Sequence, residues 1–156
     1  MTEAKHARHD EPVWRERANF IVQVDLRHHG MASDAYEQLW TRTDDQAMFE
    51  VCCLPFFTYG IALGDVVAWN DADRQAVVTR RSGRRLLRCA FVDRDDALAH
   101  HESFHGSVIA TGALVEFRGT GFVAIDIDSD ERLNAVLALV GPLHESGRAQ
   151  WEWGSD

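Results

Sequence analysis

The 156-residue chain predicts an α+β fold. A mobile tail is expected at 1–17, then a small β-barrel-like half over 18–83, then a ferredoxin-like βαββαβ half over 84–156. Three observations predict it. Between about 20 and 80, apolar residues recur with period two in short runs separated by Gly, Pro, Asn and Asp, the pattern of strands and turns. Beyond 84, such runs alternate with two stretches of helical period, in the order β-α-β-β-α-β. The composition, 46% apolar and 26% charged, is ordinary for a globular chain. A chain of this size buries about two thirds of its unfolded surface.

Residues 1–17 are polar, aperiodic and contain Pro12, which is why a mobile tail is expected there, with Val13 and Trp14 available to dock. Next, Phe20, Val22, Val24 and Leu26 alternate with Ile21, Gln23, Asp25 and Arg27, a half-buried strand ended by His28-His29-Gly30. A second strand is expected over Tyr36–Arg42. A third, over 47–54, stops at Pro55, which has no N–H to give a ladder. Residues 55–65 form a loop with two glycines. Two more strands, 66–70 and 75–79, are joined by the polar turn Asn70-Asp71-Ala72-Asp73. The basic run Arg80-Arg81-Ser82-Gly83-Arg84-Arg85 marks the boundary between halves.

In the second half a strand is expected over 86–92. Asp93 then caps a helix running to about Ala110, with Asp95 and Asp96 in its first turn where negative charge is favoured. Gly112 ends it. Strands over 113–118 and 121–127 flank Gly119-Thr120-Gly121, a hairpin signal. Asp128 with Glu131 three residues on has the spacing of a capping box. The helix it opens carries the apolar stripe Leu133, Val136, Leu137 and Val140. Gly141-Pro142 is expected to kink or split that helix, and 150–153 form the last strand.

The formal net charge is -9 and the pI about 5.3. Nucleic acid and anionic membranes are therefore not expected as partners, since both require excess Lys or Arg. No run approaches the ~20 apolar residues of a membrane span. Cys52, Cys53 and Cys89 are odd in number and show no C-x-x-C spacing. They read as small buried hydrophobes in a reducing cytoplasm.

His101-Glu102-Ser103-Phe104-His105 satisfies H-E-x-x-H. That pattern places two histidines on one helical face for zinc, with the glutamate as general base. Here the apolar stripe is Ala97, Leu98, His101, Phe104 and Val108. His101 lies on it and His105 beside it, turned towards the sheet rather than an open cleft. No third ligand follows at an informative spacing; Glu116 and His144 are the only candidates. No cofactor is expected, and zinc on His101 and His105 belongs to an alternative reading.

The stretch Pro55-Phe56-Phe57-Thr58-Tyr59-Gly60-Ile61-Ala62-Leu63-Gly64-Asp65 is the strongest non-random signal. Gly60 and Gly64 supply backbone angles that bulkier residues resist. The Asp65 carboxylate is placed to accept backbone N–H groups and pin the turn. Phe56, Phe57 and Tyr59 must plug the core or line a pocket. On Pro55, Phe56, Phe57, Gly60, Ala62, Leu63, Gly64 and Asp65 the chain resembles the bacterial domain-of-unknown-function family 4265. Further matching residues are Glu37, Leu39, Trp40, Val66, Val67, Arg81, Ser82 and Gly83. The resemblance covers about residues 20–153 and implies the same two-part fold. It brings no reaction with it.

No nucleophile–base pair, phosphate loop or nucleotide fingerprint is present. The expected function is a non-catalytic binding or accessory protein for a peptide or protein partner, of the immunity or biosynthetic-helper kind. A sheet edge or the aromatic cleft between the halves would serve as the contact. Homodimerisation through a sheet edge is a further expectation. Candidate binding residues are Glu37, Trp40, Phe56, Phe57, Tyr59, Asp65, Ser82, Arg88, Trp151 and Trp153. The alternative is a small metal-dependent hydrolase built on His101, Glu102 and His105.

Overall fold

The computed structural model describes residues 6–31 and 34–156. It is a mixed α+β structure with two sheets and three α-helices. The strands of the first sheet are β1 (His6–Ala7), β2 (Phe20–Asp25), β3 (Tyr36–Arg42), β4 (Met48–Val51), β5 (Val66–Ala68) and β6 (Val77–Arg80). β3 is its centre. β2 runs antiparallel along one edge, from Phe20 opposite Thr41 to Asp25 opposite Tyr36. The other edge is shared by β1, parallel at Tyr36 and Glu37, and β4, antiparallel at Thr41 and Arg42. β5 and β6 continue outward.

The barrel-like expectation is corrected: no ladder closes this sheet among the described residues. The Asp25 N–H donates to the Arg74 carbonyl at 2.8 Å, and Trp69 Nε1 donates to the Gln23 carbonyl at 3.0 Å. These single bonds draw the ends together. β6, of 4 residues, ladders only with β5 among the described residues, so the sheet stays open on that side. Val22, Val24, Leu39, Phe49, Val51 and Val67 pack together in one buried cluster, the burial that the period-two pattern demands.

Residues 6–17 of the expected tail pack against the sheets; residues 1–5 lie outside the described residues. β1 adds to β3, the Trp14 N–H donates to the Cys52 carbonyl at 3.0 Å, and Ala7 and His9 are buried. A two-residue strand and a lone histidine carry no periodicity, so a docked segment of this kind leaves no pattern in the sequence.

The second sheet has the order β10-β7-β9-β8, all antiparallel, from β7 (Arg85–Phe91), β8 (Val115–Arg118), β9 (Phe122–Ile127) and β10 (Ala149–Trp153). Helices α1 (Arg94–Ala99), α2 (His101–Ala110) and α3 (Asp130–Glu145) connect them. Leu87, Cys89, Val123 and Ile125 pack with Phe104, Val108, Val136 and Val140. The expected single helix to Ala110 is broken at His100, whose φ is -112° and ψ 13°. Its Nδ1 lies 3.0 Å from the Asp96 carbonyl and 2.8 Å from the Asp96 carboxylate. This side-chain contact competes with regular helix geometry. The N-cap of α3 is Ser129, whose hydroxyl accepts the Arg132 N–H at 3.1 Å; the Asp128–Glu131 spacing is one residue out of register. Pro142 does not split α3. Ala138, four residues before it, is exposed, so the carbonyl that loses its donor meets water.

The face of the second sheet away from the helices meets the loop after β4. Leu54, Phe56 and Leu63 pack there against Leu86 and Ala124. Residues 52–65 therefore form the seam between the two sheets.

Candidate functional site

Three acidic side chains organise the seam. Glu37 lies mid-β3, in phase with Leu39 and Thr41, and is fully buried. A buried carboxylate requires donors or a cation, and the loop supplies them. Oε1 accepts the Phe56 N–H at 2.5 Å. Oε2 accepts the Phe57 and Thr58 N–H groups at 3.0 and 2.8 Å and the Thr58 hydroxyl at 2.7 Å. Glu116 reaches in from β8, its Oε2 accepting the Leu54 N–H at 2.6 Å.

Between these carboxylates sits His9. Its Nε2 lies 3.0 Å from Glu37 Oε1, its Nδ1 2.7 Å from Glu116 Oε1, and its ring stacks on Phe56 with centroids 4.4 Å apart. With a carboxylate at each nitrogen, the ring is an imidazolium donating twice. Burial works against that charge. The Cys53 sulfur, Glu116 and Glu37 outweigh it and hold His9 well above its ordinary pKa. For Glu37, burial is likewise outweighed, by His9 and the Phe56 and Thr58 donors, and its pKa falls to about 2.

Asp65 has the turn role expected of it. Oδ2 accepts the Ala62 N–H at 2.9 Å and Arg81 Nη1 at 3.2 Å, and Oδ1 accepts the Ser82 N–H at 2.8 Å. The Ser82 hydroxyl donates to the Leu63 carbonyl at 2.7 Å. Gly64 takes φ +82°, and a Cβ there would lie 3.1 Å from Ser82 Cβ. Both its conformation and its spacing exclude larger residues.

Arg88 enters from β7 on the same face. Nη1 donates to the Pro55 and Thr58 carbonyls at 3.3 and 3.1 Å, and Nε donates to Glu152 at 3.2 Å. Tyr59 covers the guanidinium, with its ring centroid 4.3 Å from Cζ, and donates its hydroxyl to Glu152 at 2.8 Å. A Cβ on Gly154 would lie 3.0 Å from Arg88 Cζ and Nε, so only glycine leaves room for this side chain. A cleft of ≈ 280 Å³ lies alongside, lined by Arg88, Ala90, Phe122, Gln150, Trp151 and Glu152 among others.

Of the candidate residues, Glu37, Phe56, Phe57, Tyr59, Asp65, Ser82 and Arg88 are thus brought together around one loop. Trp40 is out of phase with Glu37 along β3 and packs under Arg15, 5.5 Å from its guanidinium carbon. Trp151 and Trp153 pack on the helix side of the second sheet, edge to face with centroids 5.7 Å apart. The rings of His101 and His105 lie 4.0 Å apart, and His105 stacks on Phe117 at 3.7 Å. Among the described residues, no group of three His, Cys, Asp or Glu side chains is placed to hold a metal ion. Glu116 is engaged by His9, and His144 is exposed on α3.

Sequence reasoning misses His9 and reaches Glu116 only as a metal-ligand candidate. One signal was available. Glu37 and Glu116 each occupy a position in a strand that alternation buries, and a carboxylate in such a position requires a buried partner.

No curated protein matches the chain. A crystal structure of a hypothetical protein from Neisseria gonorrhoeae superposes with a TM-score of 0.59 at 17% identity, covering 86% of this chain and 91% of that one. The likeness extends to the fold. The model of the family described as a domain of unknown function, DUF4265, matches residues 37–151, through β3, the seam loop and the second sheet. The chain belongs to that family.

Proposed function

We propose that this is a non-catalytic binding or accessory protein that takes up an extended segment of a peptide or protein partner along the outer edge of β10. One observation carries the reading. The Val92 N–H donates to the Arg148 carbonyl and the Gly154 N–H to the Leu86 carbonyl, so the bonded pairs of the β10–β7 ladder fall at even-numbered residues of β10. Ala149, Trp151 and Trp153 then turn their N–H and C=O groups outward. Such an edge accepts another strand. The cleft beside Trp151 and Gln150 offers a side-chain pocket next to that edge.

The polar seam supports the edge rather than reacting. Every carboxylate oxygen of Glu37, Glu116 and Asp65 accepts at least one hydrogen bond from the chain itself. The strand order of the second sheet favours reading it, with its helices, as a ferredoxin-like half, in which β10 is an edge. The charge of -9 favours a partner with basic surface. Three free buried cysteines fit a reducing cytoplasm.

The test is capture of a partner from the native host, then amide hydrogen exchange on the reconstituted complex. Protection is expected at Trp151 and Trp153. Trp151→Pro, which removes an outward N–H, should abolish capture, and Trp151→Ala, which keeps it, should not. Protection confined to other elements would refute the reading.

A further inference from the structure

The Arg88 guanidinium is buried between the seam loop and β10. It is 1% exposed, yet Nη2 is buried with no hydrogen-bond partner among the described residues. Its two N–H groups are the unmet part of a five-donor fork. Nη1 is engaged by two loop carbonyls, at Pro55 and Thr58. The side edge of the fork, Nε with Nη2, is the edge that accepts a carboxylate through two parallel bonds. At present it meets one oxygen only, Glu152 Oε1 at 3.2 Å from Nε.

Glu152 shows why the second bond is missing. It stands directly opposite Arg88 in the β10–β7 ladder, so its short tether sets the approach. Both its oxygens are drawn to the Tyr59 hydroxyl, at 2.8 and 2.9 Å. Its side chain is 49% exposed, so it can leave for solvent at low cost. The cleft of ≈ 280 Å³ opens beside both residues, with Phe122 and Trp151 among its walls.

We propose that Arg88 and Tyr59 form a carboxylate-binding site, held by Glu152 until the carboxylate of a peptide displaces it. This rests on β10 being the peptide edge. The incoming carboxylate meets Nε and Nη2 together and accepts the Tyr59 hydroxyl, while the attached side chain enters the cleft. The carboxylate belongs either to the C-terminus of the peptide or to an Asp or Glu side chain within it.

The experiment follows the Arg88 Nε–H resonance in the full-length protein by nitrogen-15 NMR. The probes are N-acetyl-leucine, N-acetyl-glutamate α-amide, N-acetyl-leucine amide and sulfate. Saturable shifts are expected with the first two, whose ranking distinguishes the two sources, and none with the neutral amide. Glu152→Gln should bind severalfold tighter, because a neutral amide holds the guanidinium less strongly than the carboxylate it replaces and leaves the site more often vacant. Tyr59→Phe, at a 41% exposed position, should bind more weakly with an unchanged melting temperature. Absence of saturable shifts in both wild type and Glu152→Gln, or sulfate binding as tightly as the carboxylates, would overturn the site. If that happens while Trp151→Pro still abolishes partner capture, the edge reading stands without it.

Discussion

His9→Ala tests the centre of the structure. The substitution leaves Glu37 and Glu116 facing each other without the cation between them, in a seam where their side chains are 0% and 3% exposed. Removing one partner of a buried ion pair costs about 3–5 kcal/mol, because the remaining charge is stranded. The two charge-assisted bonds, at 3.0 and 2.7 Å, give a consistent figure at about 1.5–3 kcal/mol each. In a domain of this size 1 kcal/mol moves the melting temperature by roughly 2–4 °C, so a fall of about 6–20 °C is expected. The assay is differential scanning calorimetry of wild type and variant across pH. The folded pKa of His9 is raised. Its stabilisation is therefore complete below the unfolded value of about 6.5 and declines as pH rises through the folded value. The gap between the two proteins should narrow on the alkaline side. Glu37 has the opposite sign: its contribution is present above its ordinary value of 4.5 and is lost as pH falls towards about 2. A fall below about 2 °C at pH 6, or a gap that widens with rising pH, would refute the imidazolium bridge.

Asp65→Asn should lower stability by about 1–3 kcal/mol, because an amide cannot accept from Ala62, Arg81 and Ser82 as the carboxylate does; lost partner binding with an unchanged melting temperature would show a direct binding role instead. Gly154→Ala should cost about 1–3 kcal/mol, since its Cβ would lie 2.8 Å from Leu86 Cδ2 and 3.0 Å from the Arg88 guanidinium, and a wild-type melting curve would contradict that packing. Burial pushes the Cys52 and Cys89 thiols up to about 12 and about 11, so a disulfide reagent at pH 8 should modify them only on unfolding; prompt modification of the native protein would count against it. Metal analysis of protein prepared without an affinity tag should find zinc well below one per chain, since His101 and His105 lack a third ligand among the described residues; one zinc per chain, lost in His105→Ala, would restore the hydrolase reading.

Much of the fold was legible because its signals are local. The period-two run at 36–42 is β3 residue for residue. Asp93 caps α1 through the Asp95 N–H, and the Asp65 carboxylate pins its turn as a short polar side chain after glycine should. Boundaries slipped where local signals competed. The third strand ends at Val51 rather than 54: Cys52 keeps a single bond to the Trp40 carbonyl, Cys53 stays in the first sheet's core, and Leu54 turns into the seam. Seven of the ten candidate binding residues gather around the aromatic loop, which packs between the two sheets. The tryptophans at 40, 151 and 153 do not, since which side of a sheet faces a partner element is a property of packing rather than of alternation.

The amino-acid order alone determined the central strand β3, the start of α1, and that the Asp65 carboxylate pins a turn after glycine. Only the tertiary structure decided which partners the buried Glu37 carboxylate meets. His9 lies 28 residues from Glu37 and 107 from Glu116, and neither spacing carries a period that a sequence can display. The reason is physical. Periodicity reports one element's contact with an interior, whereas charge compensation depends on which atoms meet once distant segments have folded together.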